Sequence, residues 1–587
     1  MIRTKIICTI GPSVNTLEKM IELMQAGMNV ARLNFSHGTH AEHLKTIHHL
    51  KEARQHLNQA MAIMLDTKGP EIRLGKIEGG QTILLTGQKW SLLKSEVLGN
   101  NHYASITPDY ILERLEIGMI VLFDDGYISS HIIEINEEGI VVEIDNGGII
   151  RSGKGINIPN TSLNLPAVTN QDIEDIKFGC AQDIDLIAAS FMRSADHVMA
   201  IKKLLSEQGK PNILVVAKIE NSEGIQNFDN IVQAADGIMV ARGDLGVEVP
   251  LSHVPRLQKM MIRKSYLAGK PVVTATQMLE SMINNPRPTR AETSDVANAI
   301  YDSTSAVMLS GETAIGKYPI ETVHVMRSII EEAEDDFNYR TFFEQHASLV
   351  YHDVPSALTL ATVKTAYSSN ARAIFAFTHE GTTARLLSRL RPKMPIIALT
   401  SNEKSFQQLA FNWGVIPYKS ETVKTLDEGF QRLTAFALEH HLVDYGDLVV
   451  MTAGTPFGIS GTTNMMIVTS IGDVLVRGHV GYGPRIHGNV AIVLSPEARQ
   501  PDEINNQLLV LVQCDDAYLP LMRQASGIIL QNHINDVISE KYAKKMALAL
   551  KKPILLRADA ASRLLKEGQL VTLDPEKALV YNGIVSE

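Results

Sequence analysis

Lys218 and Glu220 stand two residues apart in Val216-Ala217-Lys218-Ile219-Glu220-Asn221. In a strand, that spacing aims a cation and a carboxylate at the same side. An isolated pair of this kind is more often a structural ion pair, so its neighbours decide the reading. Met239–Gly246, reading M-V-A-R-G-D-L-G, ends another apolar run in Asp244. Were the two runs adjacent strands, about 4.8 Å apart, Glu220 and Asp244 would share one divalent ion. Two carboxylates completed by water and substrate oxygens suit magnesium or manganese better than an all-protein calcium cage. Gly243 and Gly246 let a ligand approach the backbone, and the helix start there offers N–H groups to an anion. In Asn29–His37, Arg32, Asn34 and Ser36 alternate and face one way, Arg32 with the planar fork that clamps a phosphoryl group. Leu65–Arg73 adds Asp66, Thr67, Glu71 and Arg73. Oxygens of Asn34, Ser36, Asp66 and Thr67 form a candidate monovalent-cation site. Thr276 and Ser310 offer hydroxyls that orient substrate or a proton-carrying water; capping of backbone groups is the competing use. His37 taken singly reads as a hydrogen-bonded structural residue.

These residues are scattered along the chain, and one architecture gathers them. Eight short apolar runs, each followed by a helical pattern, occur at Lys5–Ile10, Asn29–Asn34, Ala62–Asp66, Leu186–Ser190, Ile213–Lys218, Gly237–Ala241, Val272–Thr276 and Ala306–Leu309. Alternation of this kind predicts a parallel sheet with crossover helices, and eight units suggest a (β/α)8 barrel. Nearly every candidate sits at or just past the C-terminal end of a run, the face where a barrel collects its strand ends. Between the third and fourth runs, residues 69–167 read as an inserted all-β domain placed to act as a lid. The expected organisation is therefore a barrel over 1–68 and 168–332, the lid, an α/β domain over 333–473 and a further α/β domain over 474–587. The third domain has expected strands at Ala373–Phe377, Ile396–Leu399 and Leu448–Met451. There, Thr378-His379-Glu380-Gly381-Thr382-Thr383 follows a strand and opens a helix, an arrangement that cradles phosphate in some proteins and is a plain turn in many others. Asn285–Glu292 reads as a helix start with Pro and an acidic first turn.

Bulk composition narrows the classes. With 587 residues, 45% hydrophobic and 20% charged, the chain fits a multidomain globular protein. Its 65 acidic against 55 basic residues, net −10, argue against general affinity for nucleic acid or anionic membrane. Cys8, Cys180 and Cys514 have neither disulfide-framework nor metal-site spacing, which suits a reducing cytoplasm. The short apolar stretch before Gly11-Pro12 is too brief for a signal peptide, and no run reaches the roughly 18 apolar residues of a membrane span.

Taken together, C-T-I-G-P at Cys8–Pro12, A-R-L-N-F-S-H-G at Ala31–Gly38, D-T-K-G-P-E-I-R at Asp66–Arg73 and K-G-I-N-I-P at Lys154–Pro159 closely resemble pyruvate kinase. So do A-K-I-E-N at Ala217–Asn221, M-V-A-R-G-D-L-G-V-E at Met239–Glu248, T-A-T-Q-M-L-E-S-M at Thr274–Met282 and M-L-S-G-E-T-A at Met308–Ala314. The resemblance spans essentially the first 473 residues. It implies transfer of the phosphoryl group of phosphoenolpyruvate to ADP, giving pyruvate and ATP, the last step of glycolysis. It further implies Glu220 and Asp244 as ligands of Mg2+ or Mn2+, Lys218 as the phosphoryl-stabilising lysine, and Arg32 and Arg73 as phosphate binders. Gly243, Asp244 and Thr276 fall at its substrate positions, and Asn34, His37, Arg73 and Lys154 on the nucleotide side. Asn34, Ser36, Asp66 and Thr67 match its potassium ligands, and Glu71 accompanies potassium dependence. Thr276 and Ser310 match positions linked to enolate protonation.

A cytoplasmic homotetramer with an allosteric site for a phosphorylated effector is implied as well, at Thr378, Gly381, Thr382 and Thr383. Glu380 departs from the usual serine there and would repel phosphate. The last domain resembles the swivelling phosphohistidine domain of some bacterial members, but Glu540-Lys541-Tyr542 replaces its T-S-H motif, so packing or regulation is the expected role. A metal-dependent pyruvate/phosphoenolpyruvate-class lyase would lack the lid and Arg32–Ser36. A catalytically silent regulatory paralogue would not keep every chemical position, and a dikinase-type phosphotransferase would need the absent histidine.

Overall fold

The computed structural model describes residues 2–159, 161, 163, 165–347, 353–454 and 463–585. The chain divides into two compact units, one made of Met1–Val363, Ala376–Gly429 and Thr452–Met465, the other of Lys364–Phe375, Phe430–Met451 and Met466–Glu587.

In the first unit eight strands close into a parallel barrel: β1 (Lys5–Thr9), β2 (Met28–Asn34), β3 (Ala62–Asp66), β4 (Leu186–Ala189), β5 (Leu214–Ile219), β6 (Gly237–Ala241), β7 (Val272–Ala275) and β8 (Ala306–Leu309). Each pairs with its sequence neighbours, and β1 with β8 completes the ring. The strands are buried on both faces, which is why they read as continuous apolar runs. Ile7, Val30, Met64, Ala188, Val216, Met239, Val273 and Met308 fill the inside, and the opposite face packs on the surrounding helices. Several helices start on capping boxes, Thr39 with Glu42, Thr169 with Asp172 and Thr289 with Glu292. The last confirms the helix start expected after Asn285–Thr289.

The segment inserted after β3 forms a second closed barrel, of seven short strands from Ile72–Leu74 to Gly155–Asn157, around Trp90, Phe123, Ile132 and Val142. Further on in this unit, Ile396–Thr400 pairs in parallel with Val415–Lys419. The other expected strands of the third segment are present at Ala373–Phe377 and Leu448–Gly454.

The second unit holds an eight-stranded sheet whose parallel centre is Ile486–Val493, Leu508–Leu511, Gly527–Leu530 and Ile554–Leu556. Tyr542, on the helix Val537–Ala549, packs against its core. Among the described residues, no helix is long and apolar enough to cross a membrane.

Candidate active site

The polar cluster at the mouth of the barrel continues the period-two series that lines its interior. On β2 the inward series Val30 leads to Arg32; on β3 Met64 leads to Asp66; on β5 Val216 leads to Lys218 and Glu220. Ser190, just past β4, follows Ala188 in the same way, and Thr9 follows Ile7 on β1. The register places Asn34 opposite Asp66, and Asp66 opposite Ala188.

Asp66 is the hub. Its Oδ2 accepts from Arg32 Nε at 2.5 Å, and its Oδ1 from Lys218 Nζ at 3.0 Å and Ser190 Oγ at 3.2 Å. Lys218 Nζ also donates to Ser190 Oγ at 2.7 Å and lies 3.0 Å from Glu220 Oε1. Arg32 Nη1 donates to Thr9 Oγ1 at 2.9 Å. Glu220 Oε2 accepts from the backbone N–H of Phe191 at 2.6 Å, a residue held at φ +54°. Asp66 is wholly buried and Glu220 1% exposed, so every charge here depends on its neighbours for solvation.

Those neighbours set the protonation states. Burial favours the neutral acid at Asp66, yet the charges of Arg32 and Lys218 prevail and hold its carboxyl below the usual range. Burial likewise opposes the Lys218 ammonium, and Asp66 and Glu220 overcome it, keeping the lysine charged. Glu220 goes the other way. Its burial, reinforced by the nearby Asp244 carboxylate and only partly offset by Lys218, pushes it up to about 7. Asp244 is raised too, by burial first and then by Asp125 and Glu71. Two adjacent carboxylates short of positive charge are what a dication would relieve, so the donor set fits a divalent metal. Among the described residues, no group of three or more His, Cys, Asp or Glu is assembled as a metal cage.

Other expected residues stand around this core. Asn34 Oδ1 accepts from Ser36 N–H at 3.1 Å, and Thr67 Oγ1 from Ser190 N–H at 3.1 Å. A cleft of about 360 Å³ between the parallel barrel and the inserted barrel is lined by His37, Glu71, Arg73, Lys154 and Asp244, together with Asp125, Arg193 and Glu248. Within it Arg73 pairs with Glu71 at 2.5 Å, and Lys154 with Asp124 at 2.6 Å. Asn157 of the lid donates to Glu248 of the barrel at 2.9 Å.

Thr276 and Gln277 both lie at positive φ, +66° and +54°, a strained turn for residues with side chains. Arg242 holds that turn by donating to the carbonyls of Ala275, Thr276 and Gln277, while Asp295 pairs with it at 2.7 Å. At the helix start, the Gly243 N–H donates to Thr276 Oγ1 at 2.8 Å. Gly246 has a packing reason, since a Cβ there would meet Leu251 at 2.9 Å. The Ser310 hydroxyl is buried without a partner, and Ser310 N–H donates to Glu312 at 2.7 Å.

At the other expected site, Gly381 is the left-handed residue (φ +82°) that precedes the helix Thr382–Arg389. Thr378 N–H donates to Leu399 O, and the buried Thr383 hydroxyl is 2.6 Å from that of Thr463. Thr9, Arg242, Asp125 and the Phe191 amide were not singled out from the sequence. Only Thr9 carried a signal, its position two residues after the inward Ile7.

The family model described as pyruvate kinase, barrel domain, matches residues 1–323, and that described as pyruvate kinase, alpha/beta domain, matches residues 356–469. A pyruvate kinase of Geobacillus stearothermophilus is 43% identical over 587 residues, covering 100% of this chain and 99% of the relative. One from Staphylococcus epidermidis is 41% identical, covering 99% of each. A crystal structure of a pyruvate kinase from Cryptosporidium parvum superposes with a TM-score of 0.77 at 39% identity, covering 80% of this chain and 96% of that one.

Proposed function

Because this chain belongs to the pyruvate kinase family, and so transfers the phosphoryl group of phosphoenolpyruvate to ADP, we propose that the Lys218–Asp66–Arg32 network is the device that holds the phosphoryl group in flight. The observation that carries this reading is a lysine kept charged in a buried site by two carboxylates, with Arg32 fixed beside it on the same Asp66. Phosphoryl transfer asks little covalent chemistry of a protein and depends on positioning and charge stabilisation. Lys218, held in place by Ser190 and Asp66, presents a fixed cation to the equatorial oxygens. Arg32 does the same from β2, across the barrel mouth from β5, its side chain oriented by Thr9.

Glu220 and Asp244 are the residues that would hold a divalent ion, Mg2+ or Mn2+, which when bound neutralises phosphoryl and carboxylate charge. Asn34, Ser36, Asp66 and Thr67 supply the oxygen donors for K+, and Glu71 lies close enough to influence Asp244 electrostatically. Arg73, Lys154 and His37 face ADP from the cleft beneath the lid, and Asn34, at the end of β2, is assigned to the same nucleotide side. Thr276, on its strained turn, and Ser310, with its unpartnered hydroxyl, stand where a proton is delivered to the enolate of pyruvate. Thr378, Gly381, Thr382 and Thr383 are assigned to a phosphorylated effector, which Glu380 disfavours. The assembly is assigned as a cytoplasmic homotetramer.

Lys218→Met tests the assignment. It removes the cation while keeping the length and apolar stem, so kcat for pyruvate formation should fall on the order of a thousandfold, the loss typical of a transition-state charge donor. A variant that folds and turns over at the unaltered rate overturns the mechanism.

A further inference from the structure

Four cationic side chains, Lys270, Arg385, Arg389 and Arg391, line one small cavity of about 20 Å³ away from the active site, together with Ser305 and Asn412. Among the described residues, no carboxylate is part of its lining. Arg391 is 4% exposed and Arg389 8%. Arg385 Nη1 and Arg391 Nε are buried with no hydrogen-bond partner, although other nitrogens of each guanidinium are hydrogen-bonded. Arg385 Nη2 donates to Glu380 O at 2.5 Å, and Arg391 Nη2 to Ser303 O at 3.1 Å and Ser305 Oγ at 2.8 Å. Arg391 also lies over the Trp413 ring at 4.7 Å.

The surrounding acids act from outside the cavity wall: Asp236 toward Lys270 and Arg385, Glu380 toward Arg385, Glu334 toward Arg391, and Arg389 toward Asp353. They do not compensate the burial. Desolvation lowers Lys270 and Arg385 and pulls Arg391 down to about 10. A buried cation is costly unless paired, and the two unpartnered N–H groups, like the unpartnered Asn412 Oδ1 in the same lining, add the penalty of unmade hydrogen bonds.

We propose that this cavity binds a single small inorganic anion, of the size of chloride or one phosphate, held by Arg385, Arg391 and Lys270. The volume is enough for one ion-sized guest and too small for a sugar phosphate or nucleotide. The guest supplies the missing negative charge and accepts from both orphaned N–H groups, joining the helix Thr382–Arg389 to the Lys270 loop that precedes β7.

The test is thermal unfolding of the full chain in potassium salts at fixed ionic strength, replacing gluconate by chloride in one series and by phosphate in another. A site filled on the native protein alone raises Tm saturably, here on the order of 2 °C, whereas general salt effects rise without a plateau. Arg385→Met should abolish the saturable part; Arg391→Met is the less clean variant because it also strips the cation from Trp413. Crystals soaked in bromide should show an anomalous peak in the cavity, and its displacement by phosphate identifies the oxyanion as the tighter guest. An unsaturated response identical in wild type and Arg385→Met, or an empty cavity after the soak, overturns the proposal.

Discussion

The raised carboxyl of Glu220 makes divalent-ion binding proton-linked in a way an ordinary glutamate would not. Burial and the Asp244 charge lift it from 4.5 to about 7, so in the metal-free protein the proton is held more tightly than in water. A metal ion must displace that proton, and its apparent affinity is weakened by a factor of 1 + 10^(pKa − pH). With the carboxyl near 7, this factor is about 11 at pH 6 and about 1.1 at pH 8, roughly a tenfold gain in affinity over two pH units. For a glutamate at its usual value, the factor stays within about 5% of one at both. The sign also fixes the stability of the metal-free protein. A carboxyl raised on folding contributes stability that is intact below about 4.5 and is lost as the pH climbs through about 7, on the order of 3 kcal/mol. The assay is calorimetric titration with Mn2+ at pH 6, 7 and 8 in buffers of different ionisation enthalpy, which counts protons released on binding. About 0.9 proton should leave at pH 6 and about 0.1 at pH 8 from this group. Glu220→Gln should remove that release and weaken binding at pH 8. Affinity that is flat from pH 6 to 8, or proton release unchanged in Glu220→Gln, would refute the electrostatic account of the site.

Ser190→Ala removes the hydroxyl that orients Lys218 Nζ at 2.7 Å; a lost hydrogen bond to a charged group should lower kcat about tenfold with little change in Tm, read by steady-state kinetics and calorimetry. Gly69→Ala introduces a Cβ at φ +74° that meets Phe191 at 2.8 Å and Ser190 at 2.9 Å. It should shift the turn whose amide supports Glu220, and a Mn2+ titration should show several-fold weaker binding. Glu71 faces the cleft as an acid paired with Arg73, so Glu71→Lys installs a fixed cation there; the ratio of rates in K+ and Na+, expected well above one in the wild type, should fall toward one.

Much of this design is legible along the chain because strand geometry is local. Alternation by two places Lys218 with Glu220, and Arg32 with Asn34, whatever the rest of the fold does, whereas Ser36 lies in the turn beyond the strand. The eight apolar runs with their crossover patterns predicted a barrel, and a barrel obliges their C-terminal ends to meet. Partner choice depends instead on register and stagger between strands, which no local pattern encodes. Asp66 was expected as a potassium ligand; the packed barrel makes it the shared counter-ion of Arg32 and Lys218, from strands at different distances from it. Thr9 entered the site because β1 closes the ring beside β2. The amide of Gly243 went to Thr276, and the Thr383 hydroxyl to Thr463, because each hydrogen-bonding group takes whatever packing brings within reach. Residue type and parity therefore settled which groups face the site. Only the folded chain, by excluding water and setting distances, decided their charges: Lys218 kept as a cation, Asp66 as an anion, and Glu220 poised near neutrality.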